Sequence, residues 1–217
     1  MKKEDFVKAI EKIKDNKKKF TQTYELVINL QGLDLKKPEQ QMETWVELPN
    51  GTGKQVKVAA LVGQELKEQA DKACDLTVVQ DDFAKYTDKK VIKQLSRSYD
   101  YFIAQANIMP LIAKTFGRYF GPHGKMPNPK IGCVVPPNAN LKALVDRLKI
   151  TVKASAKTQA SAKIPVGRED MDAEKVAENM LAAYNAVLHK LPQEKNNIKN
   201  VLIKKTMSPP IRVEEGK

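Results

Sequence analysis

The segment from Gly117 to Lys130 reads GRYFGPHGKMPNPK and combines three glycines with three prolines. Glycine admits backbone angles that other residues avoid, and proline fixes φ and removes a hydrogen-bond donor. This composition predicts a shaped loop rather than a helix or a central strand. The loop carries the cations Arg118, Lys125 and Lys130, with Lys114 just upstream. It is either a rigid basic surface that meets a polyanion or a connector between a helix and a strand.

The charge balance of the chain points in the same direction. Its 217 residues include 38 Lys and Arg against 26 Asp and Glu, a formal net charge of +12. Such an excess favours a nucleic acid or another anionic surface as the partner. Between Asp100 and Glu169 the only acidic residue is Asp146. Solvated helix faces usually interleave both signs, so a run of one sign this long favours a polyanion.

Several classes of protein are disfavoured. No apolar run approaches the roughly 20 residues that span a bilayer, and the chain starts with an amphipathic helical pattern rather than a signal peptide. We therefore expect a cytoplasmic protein with no membrane partner. Two cysteines, Cys74 and Cys133, and two histidines, His123 and His189, lie far apart in the sequence. This spacing predicts neither a disulfide framework nor a structural metal site.

Residues 20–30 alternate with period two, which predicts a strand. Phe20, Tyr24 and the following apolar residues would lie on one side of it. The other side carries Thr21, Thr23 and Glu25. Hydroxyl and carboxylate groups suit hydrogen bonds to ribose and base edges, but they equally suit a sheet face that is covered by water.

The middle of the chain has a different pattern. Residues 49–53 are a turn-forming cluster, and we predict a hinge at Gly51 and Gly53, with Ile150 on the returning segment. Residues 56–62 form a nearly continuous apolar strand, which is typical of a sheet covered on both faces. Strands then alternate with helices, which indicates a parallel α/β domain. Residues 150–166 predict a single strand that carries the chain out of this domain.

These patterns define the predicted fold. Each end of the chain supplies only two strands and a helix, which is too little to build a core of its own. We therefore expect the two ends to pack together in one domain. The prediction is an α+β terminal domain (a split β-α-β sandwich) of residues 1–53 and 151–217. A three-layer, Rossmann-like α/β domain of residues 54–150 is inserted into it.

Motifs for catalysis or cofactor binding are not found. A phosphate-binding P-loop ending at Lys125 would need glycine where Tyr119 stands and a hydroxyl where Met126 stands. A dinucleotide fingerprint would have to follow residues 56–62, where Gly63 is a single glycine. We predict no cofactor, no metal and no enzymatic activity.

At residues 117–130 the sequence closely resembles the signature of the large-subunit ribosomal protein L-one family. The resemblance covers essentially the whole chain. Residues 19–25 are similar to the family's first RNA-facing strand, and residues 164–167 to its return segment. Residues 206–209 are similar to the family's Thr-Met-Gly-Pro turn. The lysine-rich sequence is more similar to archaeal than to bacterial members.

This resemblance implies a function as well as a fold. It implies a terminal domain that grips RNA and an inserted domain on a two-stranded hinge. The expected partners are a kinked helix-and-loop of large-subunit rRNA on the mobile stalk, other ribosomal components, and the tRNA in the exit site (E site). The family also implies an influence on the release of deacylated tRNA, and repression of the chain's own mRNA.

The resemblance places RNA contacts at both ends of the chain. The main contacts would be Lys19, Phe20, Thr23, Glu25, Thr206, Met207 and Ser208, with Lys157, Lys163 and Arg168 as a second group of phosphate contacts.

Each residue type suits its expected role. Lys19 would neutralise a phosphate, and Phe20 would pack against RNA or order the strand. Thr23 and Glu25 would bond ribose hydroxyls, because a carboxylate is unfavourable beside phosphate. The segment 206–208 would contact the minor groove. Ser208 stands where the family commonly has glycine, so its side chain either adds a hydrogen bond or forces a backbone angle that glycine reaches more easily.

The sequence is also compatible with two other functions. An RNA- or nucleotide-modifying enzyme could use the 117–130 loop as a phosphate cradle. A non-specific nucleic-acid coat would bind duplex DNA as well as it binds RNA.

Overall fold

A computed structural model describes residues 1–13, 18–37, 40–86 and 88–214. The chain divides into two compact units. The end unit joins Met1–Lys54 to the segment that starts at Ile150, and the middle unit is Gln55–Lys149.

The helices are α1 (Lys3–Glu11), α2 (Lys67–Ala73), α3 (Lys89–Ser98), α4 (Met109–Phe120), α5 (Leu141–Ile150) and α6 (Ala173–Leu188). The strands are β1 (Thr23–Leu30), β2 (Met42–Glu47), β3 (Val58–Val62), β4 (Leu76–Val79), β5 (Tyr101–Gln105), β6 (Val134–Val135), β7 (Thr151–Ala156), β8 (Ser161–Arg168), β9 (Ile198–Lys205) and β10 (Ile211–Arg212).

The end unit is built around an antiparallel sheet in the order β10-β9-β1-β8. Strand β1 lies inside the sheet and pairs with β8 on one side and β9 on the other. Its side chains alternate as predicted: Leu26 and Ile28 are fully buried in the core beside α1 and α6, whereas Thr23 and Glu25 lie half-buried on the opposite face. The two ends of the chain therefore meet in one sheet.

Strands β2 and β7 form a separate antiparallel pair that packs on the same core. The prediction of one strand over residues 150–166 is wrong, because β7 and β8 belong to different sheets and the exposed residues 157–160 separate them. The turn contains neither glycine nor proline. Its polar residues continue the alternation of the flanking strands, so the usual turn signal is missing.

The middle unit contains a parallel sheet in the order β4-β3-β5-β6. All of β3 is buried. Ala59 and Leu61 face a cluster that includes Phe116 and Phe120 of α4, and the alternate residues of β3 point to the other face. The predicted mixture of helices with parallel and antiparallel sheets is confirmed.

Helix α4 extends further than predicted. Its last turn includes Gly117–Phe120, so the predicted loop begins only after Phe120. Phe116 and Phe120 are one helical turn apart, fully buried, and stacked with ring centroids 5.3 Å apart. Burying an aromatic ring stabilises by about 2–3 kcal/mol, which exceeds the cost of about 1 kcal/mol for Gly117 inside a helix.

The predicted hinge residues Gly51, Gly53 and Ile150 all lie in the end unit. Gly51 and Gly53 have φ angles of +61° and +71°, which favour glycine. The Leu48 N–H donates to the Ile150 carbonyl at 2.9 Å. The structure thus fixes the backbone at these positions, and hinge motion itself stays a prediction.

Asn179 of α6 is fully buried and bonds the segment at Asn50 and Gly51 to the core. Its Nδ2 donates to the carbonyls of Gly51 and Val166 at 2.7 and 2.8 Å. Its Oδ1 accepts from the Asn50 N–H at 3.0 Å. One side chain therefore satisfies three backbone groups in two segments.

We predict that Asn179→Ala lowers the free energy of unfolding by about 2–4 kcal/mol, because it leaves several buried polar groups without partners. Urea unfolding would measure this loss. Asn185→Ala, at an exposed position of the same helix, is the control and should change the value by less than about 0.5 kcal/mol. Equal stability of the two variants would contradict the prediction.

Glu43 of β2 joins the two strands of the smaller sheet. Its carboxylate oxygens lie 2.6 Å from Lys153 Nζ and 2.8 Å from Lys157 Nζ. The hydrogen bond from Lys153, and then that from Lys157, lowers the pKa of Glu43 from 4.5 to about 2. Because the folded pKa lies below the unfolded one, the interaction stabilises fully above pH 4.5 and is lost as pH falls through about 2.

We predict that Glu43→Gln lowers the free energy of unfolding by about 1 kcal/mol at neutral pH, a modest value because both lysine side chains are partly exposed to water. The difference from the wild type should shrink as the pH falls from 4.5 towards 2. Urea unfolding across this range would test it. Glu11→Gln, at an exposed position of α1, is the control, and a pH-independent effect of Glu43→Gln would contradict the prediction.

Candidate nucleic-acid interface

The start of β1 and the end of β9 form one continuous edge. The Thr23 N–H donates to Thr206 Oγ1 at 3.2 Å, and the Thr206 N–H donates to the Thr23 carbonyl at 3.1 Å. These residues are 183 positions apart in the chain. We call the surface formed by Phe20–Glu25 and Thr206–Ser208 the threonine edge.

Gln22 lies beneath this edge and is 1% exposed. Its Oε1 accepts from the Met207 N–H at 3.2 Å, and its Nε2 donates to Glu169 Oε2 at 3.4 Å. Its backbone carbonyl accepts from the Glu169 N–H at 3.0 Å. The buried Lys205 places its Nζ 3.9 Å from the same Glu169 carboxylate. This network joins β1 to the segments that follow β8 and β9, and sequence reasoning did not single out Gln22.

Two large apolar side chains project from the threonine edge. Met207 is 59% exposed and Phe20 is 50% exposed. The prediction that Phe20 lies on the apolar side of the strand is wrong, because β1 starts at Thr23 and Gln22 takes the buried position before it. Both side chains are therefore accessible to a partner that binds this edge.

Ser208 adds a hydrogen bond rather than strain. Its Oγ accepts from the Lys205 N–H at 2.7 Å, and its own N–H donates to the Lys205 carbonyl at 3.1 Å. Among the described residues other than glycine, only Glu194 has a positive φ. Of the two alternatives for serine at this position, the hydrogen bond is therefore the correct one.

The open face of the sheet continues from the threonine edge. Glu25 lies 3.6 Å from Lys204 Nζ on β9, with both side chains about 30% exposed. Lys163 is exposed on β8 opposite Val27. A carboxylate that is paired with lysine can lie near RNA without adding an unbalanced negative charge.

The other predicted cations of the end unit are placed differently. Lys19 is exposed beside Phe20. Arg168 pairs with Thr23 across β8 and β1, and its guanidinium contacts the Gly53 carbonyl at 3.4 Å and Asp170 at 3.6 Å. Lys157 lies beyond the other end of β1 and is paired with Glu43. The structure therefore brings Lys19 and Arg168 to the threonine edge and separates Lys157 from it.

The cations of the predicted basic loop have different surroundings in the middle unit. Lys125 Nζ donates to the Tyr99 carbonyl just after α3, so this lysine is used to hold the loop. Lys130 is exposed on a short 3-10 turn.

Arg118 instead lines a cavity of about 350 Å³, which we call the basic notch. It is lined by Lys89, Lys93, Arg118, Tyr119, Pro122 and His123. No carboxylate is among these lining residues, and none of the three cations forms an ion pair with a described carboxylate. Sequence reasoning missed Lys89 and Lys93. Their i, i+4 spacing, which puts both on one face of α3, was the available signal.

The crevice of the parallel sheet is closed. Ligands of open α/β sheets bind where the strand order reverses, which here is between the carboxyl ends of β3 and β5. Gln105, 3% exposed, fills this position. Its Oε1 accepts from the Gly63 N–H at 2.8 Å, and its Nε2 donates to Glu65 at 3.3 Å. A small molecule at this point of the sheet would have to displace the hydrogen bonds of Gln105 to Gly63 and Glu65.

The described residues include neither a metal-binding cluster nor a membrane-spanning helix. They contain no group of three or more His, Cys, Asp or Glu side chains arranged to hold a metal ion. None of their helices is both long enough and apolar enough to cross a bilayer.

Comparison with known proteins identifies the family. Residues 8–209 match the model of the Ribosomal protein L1p/L10e family. The large ribosomal subunit protein uL1 of Nanoarchaeum equitans is 41% identical over 95% of this chain and 98% of that protein. The uL1 proteins of Methanothermococcus thermolithotrophicus and Thermococcus kodakarensis are each 40% identical, over 99% and 97% of this chain and 100% and 98% of their own lengths.

These relatives are archaeal, so the predicted archaeal likeness is confirmed. The match also covers both ends of the chain and its middle, which contain the threonine edge and the basic notch. The chain therefore belongs to the ribosomal protein L1p/L10e family, and it is a ribosome-associated cytoplasmic protein rather than an enzyme.

Proposed function

We propose that this protein is a structural component of the large ribosomal subunit and binds large-subunit rRNA through the threonine edge. The observation that carries the proposal is the pairing of Thr23 with Thr206, which presents Phe20 and Met207 on one exposed surface. The uL1 relatives carry the large ribosomal subunit in their names, which supports the same assignment.

The chemistry of the threonine edge suits A-form RNA. Such RNA hides its base edges in a deep major groove and presents 2′-hydroxyls in a wide, shallow minor groove. The Thr206 hydroxyl and the Glu25 carboxylate can bond ribose hydroxyls, which DNA lacks. Met207 can lie against the sugars of the shallow groove. Lys19, Lys163 and Arg168 supply positive charge for the flanking phosphates.

We further propose the finer role that the family resemblance implies. The protein binds a kinked helix-and-loop of rRNA on the mobile stalk near the tRNA exit site and influences the release of deacylated tRNA. It represses its own mRNA when that mRNA presents a similar fold to the threonine edge. The end unit acts as the α+β domain and the middle unit as the inserted Rossmann-like domain, linked by a hinge at Gly51, Gly53 and Ile150.

The basic notch is the proposed contact of the middle unit with E-site tRNA. Lys89, Lys93 and Arg118 place three positive charges around one cavity. Tyr119 adds an aromatic ring on which a base or ribose can pack.

We predict that Thr206→Ala and Met207→Ala each weaken binding of the rRNA stem-loop by about 1–3 kcal/mol, the scale of one specific nucleic-acid contact. Filter-binding titration would measure the affinity. Thr158→Ala and Leu111→Ala, at exposed positions that are not part of the edge, are the matched controls and should bind normally.

Unchanged affinity in both edge variants would refute the assignment of the site. Duplex DNA should compete poorly with the stem-loop. Equal competition by DNA would favour the non-specific coat instead.

We predict that the double variant Lys89→Ala, Lys93→Ala weakens tRNA binding and makes its salt dependence shallower, because each lost phosphate contact changes the log–log slope by about 0.9 in duplex DNA and similarly here. Binding of the rRNA stem-loop should not change. Lys67→Ala with Lys72→Ala on α2 removes the same charge elsewhere in the middle unit and is the control. An equal loss in the two double variants would show a general charge effect and no specific notch.

A further inference from the structure

We propose that two side-chain latches, the Ser208 hydroxyl and the Gln22 amide, hold the Thr206–Ser208 turn in its RNA-binding shape before RNA arrives. Ser208 and Gln22 are then positioning residues rather than contact residues. This inference rests on the proposed binding of RNA at the threonine edge.

The first latch lies at the outer edge of the sheet. Strand β10 pairs with β9 only at Leu202 and Ile203, so it does not reach Lys205. The Lys205 N–H is instead taken by Ser208 Oγ at 2.7 Å, and the Ser208 N–H returns to the Lys205 carbonyl at 3.1 Å. The serine hydroxyl thus provides the acceptor that a neighbouring strand would otherwise supply to the Lys205 N–H. The same hydrogen bond closes the turn. Glycine at this position would close the turn through the backbone alone.

The second latch acts from inside the protein. Gln22 Oε1 accepts from the Met207 N–H at 3.2 Å. Gln22 is itself fixed, because it is 1% exposed and bonded to Glu169 through both its side chain and its backbone. The Met207 side chain is 59% exposed, so packing contributes little to its position. The Gln22 contact therefore sets where the Met207 backbone lies.

A turn that is fixed in advance loses less conformational freedom on binding, which improves affinity without a new contact to the ligand. Gln22 and Ser208 hold the backbone of the turn on its two sides. The Met207 side chain is therefore already positioned to contact RNA. Removing either latch should weaken binding although neither side chain needs to touch the RNA.

The test uses the full chain with Ser208→Ala and Gln22→Met, which remove one latch each while roughly keeping the side-chain volume. We expect each to weaken binding of the rRNA stem-loop about 3- to 10-fold, the effect of losing one hydrogen bond. Amide hydrogen exchange in the free protein should accelerate at Lys205 in Ser208→Ala and at Met207 in Gln22→Met. Gln31→Met, the same replacement beyond the other end of β1, is the control and should change neither measurement at the turn.

A double-mutant cycle separates positioning from general destabilisation. If Gln22 positions Met207, then Gln22→Met should cost less affinity in a Met207→Ala background than in the wild type. A purely structural role would give the same loss in both backgrounds and would overturn the inference for Gln22. If Gln22→Met does not fold, Ser208→Ala at the surface turn carries the test.

The remaining outcomes are distinct. A wild-type protein that does not bind the rRNA stem-loop would refute the proposed function. A wild type that binds, with latch variants that bind equally well, would refute only the latches. Faster amide exchange with unchanged affinity would likewise overturn the proposal that the latches serve binding.

Discussion

The antiparallel ladder that β1 forms with β8 and β9 is the constraint on which the rest of the end unit depends. It fixes how the start of β1 pairs with the two returning strands. Thr23 lies opposite Arg168 of β8, and Tyr24 lies opposite Lys205 of β9. A shift by one residue would exchange the buried and open faces of β1 and place Leu26 in water. The threonine edge therefore depends on the core side chains of β1, which fix how this strand pairs, and on the shift in its pairing with β8 between Tyr24 and Glu25.

The cations that are clustered in the sequence are not the same set as the cations that are unpaired in the folded protein. The basic stretch between Asp100 and Glu169 reads as one positive run, but Glu43 from an earlier strand pairs with both Lys153 and Lys157 and offsets one of their two charges. Lys125 is used to bond a backbone carbonyl. The cations that stay unpaired within the described chain include Lys89, Lys93 and Arg118, two of which lie outside that run. Tertiary contacts thus place Arg118 of this run beside two lysines of α3 that lie outside it.

Sequence reasoning worked best where a single periodicity had one physical meaning. The period-two pattern of Tyr24–Leu30 predicted the buried face of β1, and the apolar run before Gly63 predicted a strand covered on both faces. It failed where two effects competed. The glycines near 117 suggested a break, but burial of Phe116 and Phe120 extended α4 through Phe120. The residues of the candidate site that depend on tertiary contacts, Gln22 above all, had no local signal because their partners are far away in the chain.

The filled crevice of the parallel sheet has a consequence for how the middle unit responds to its surroundings. When the crevice of such a sheet is open and binds a small molecule, the binding stabilises the folded state. The free energy of unfolding then rises with the concentration of that molecule. Here Gln105 supplies from within the chain the hydrogen bonds that a ligand would otherwise make to Gly63. At this position the middle unit therefore gains its stability from the polypeptide itself rather than from a bound small molecule.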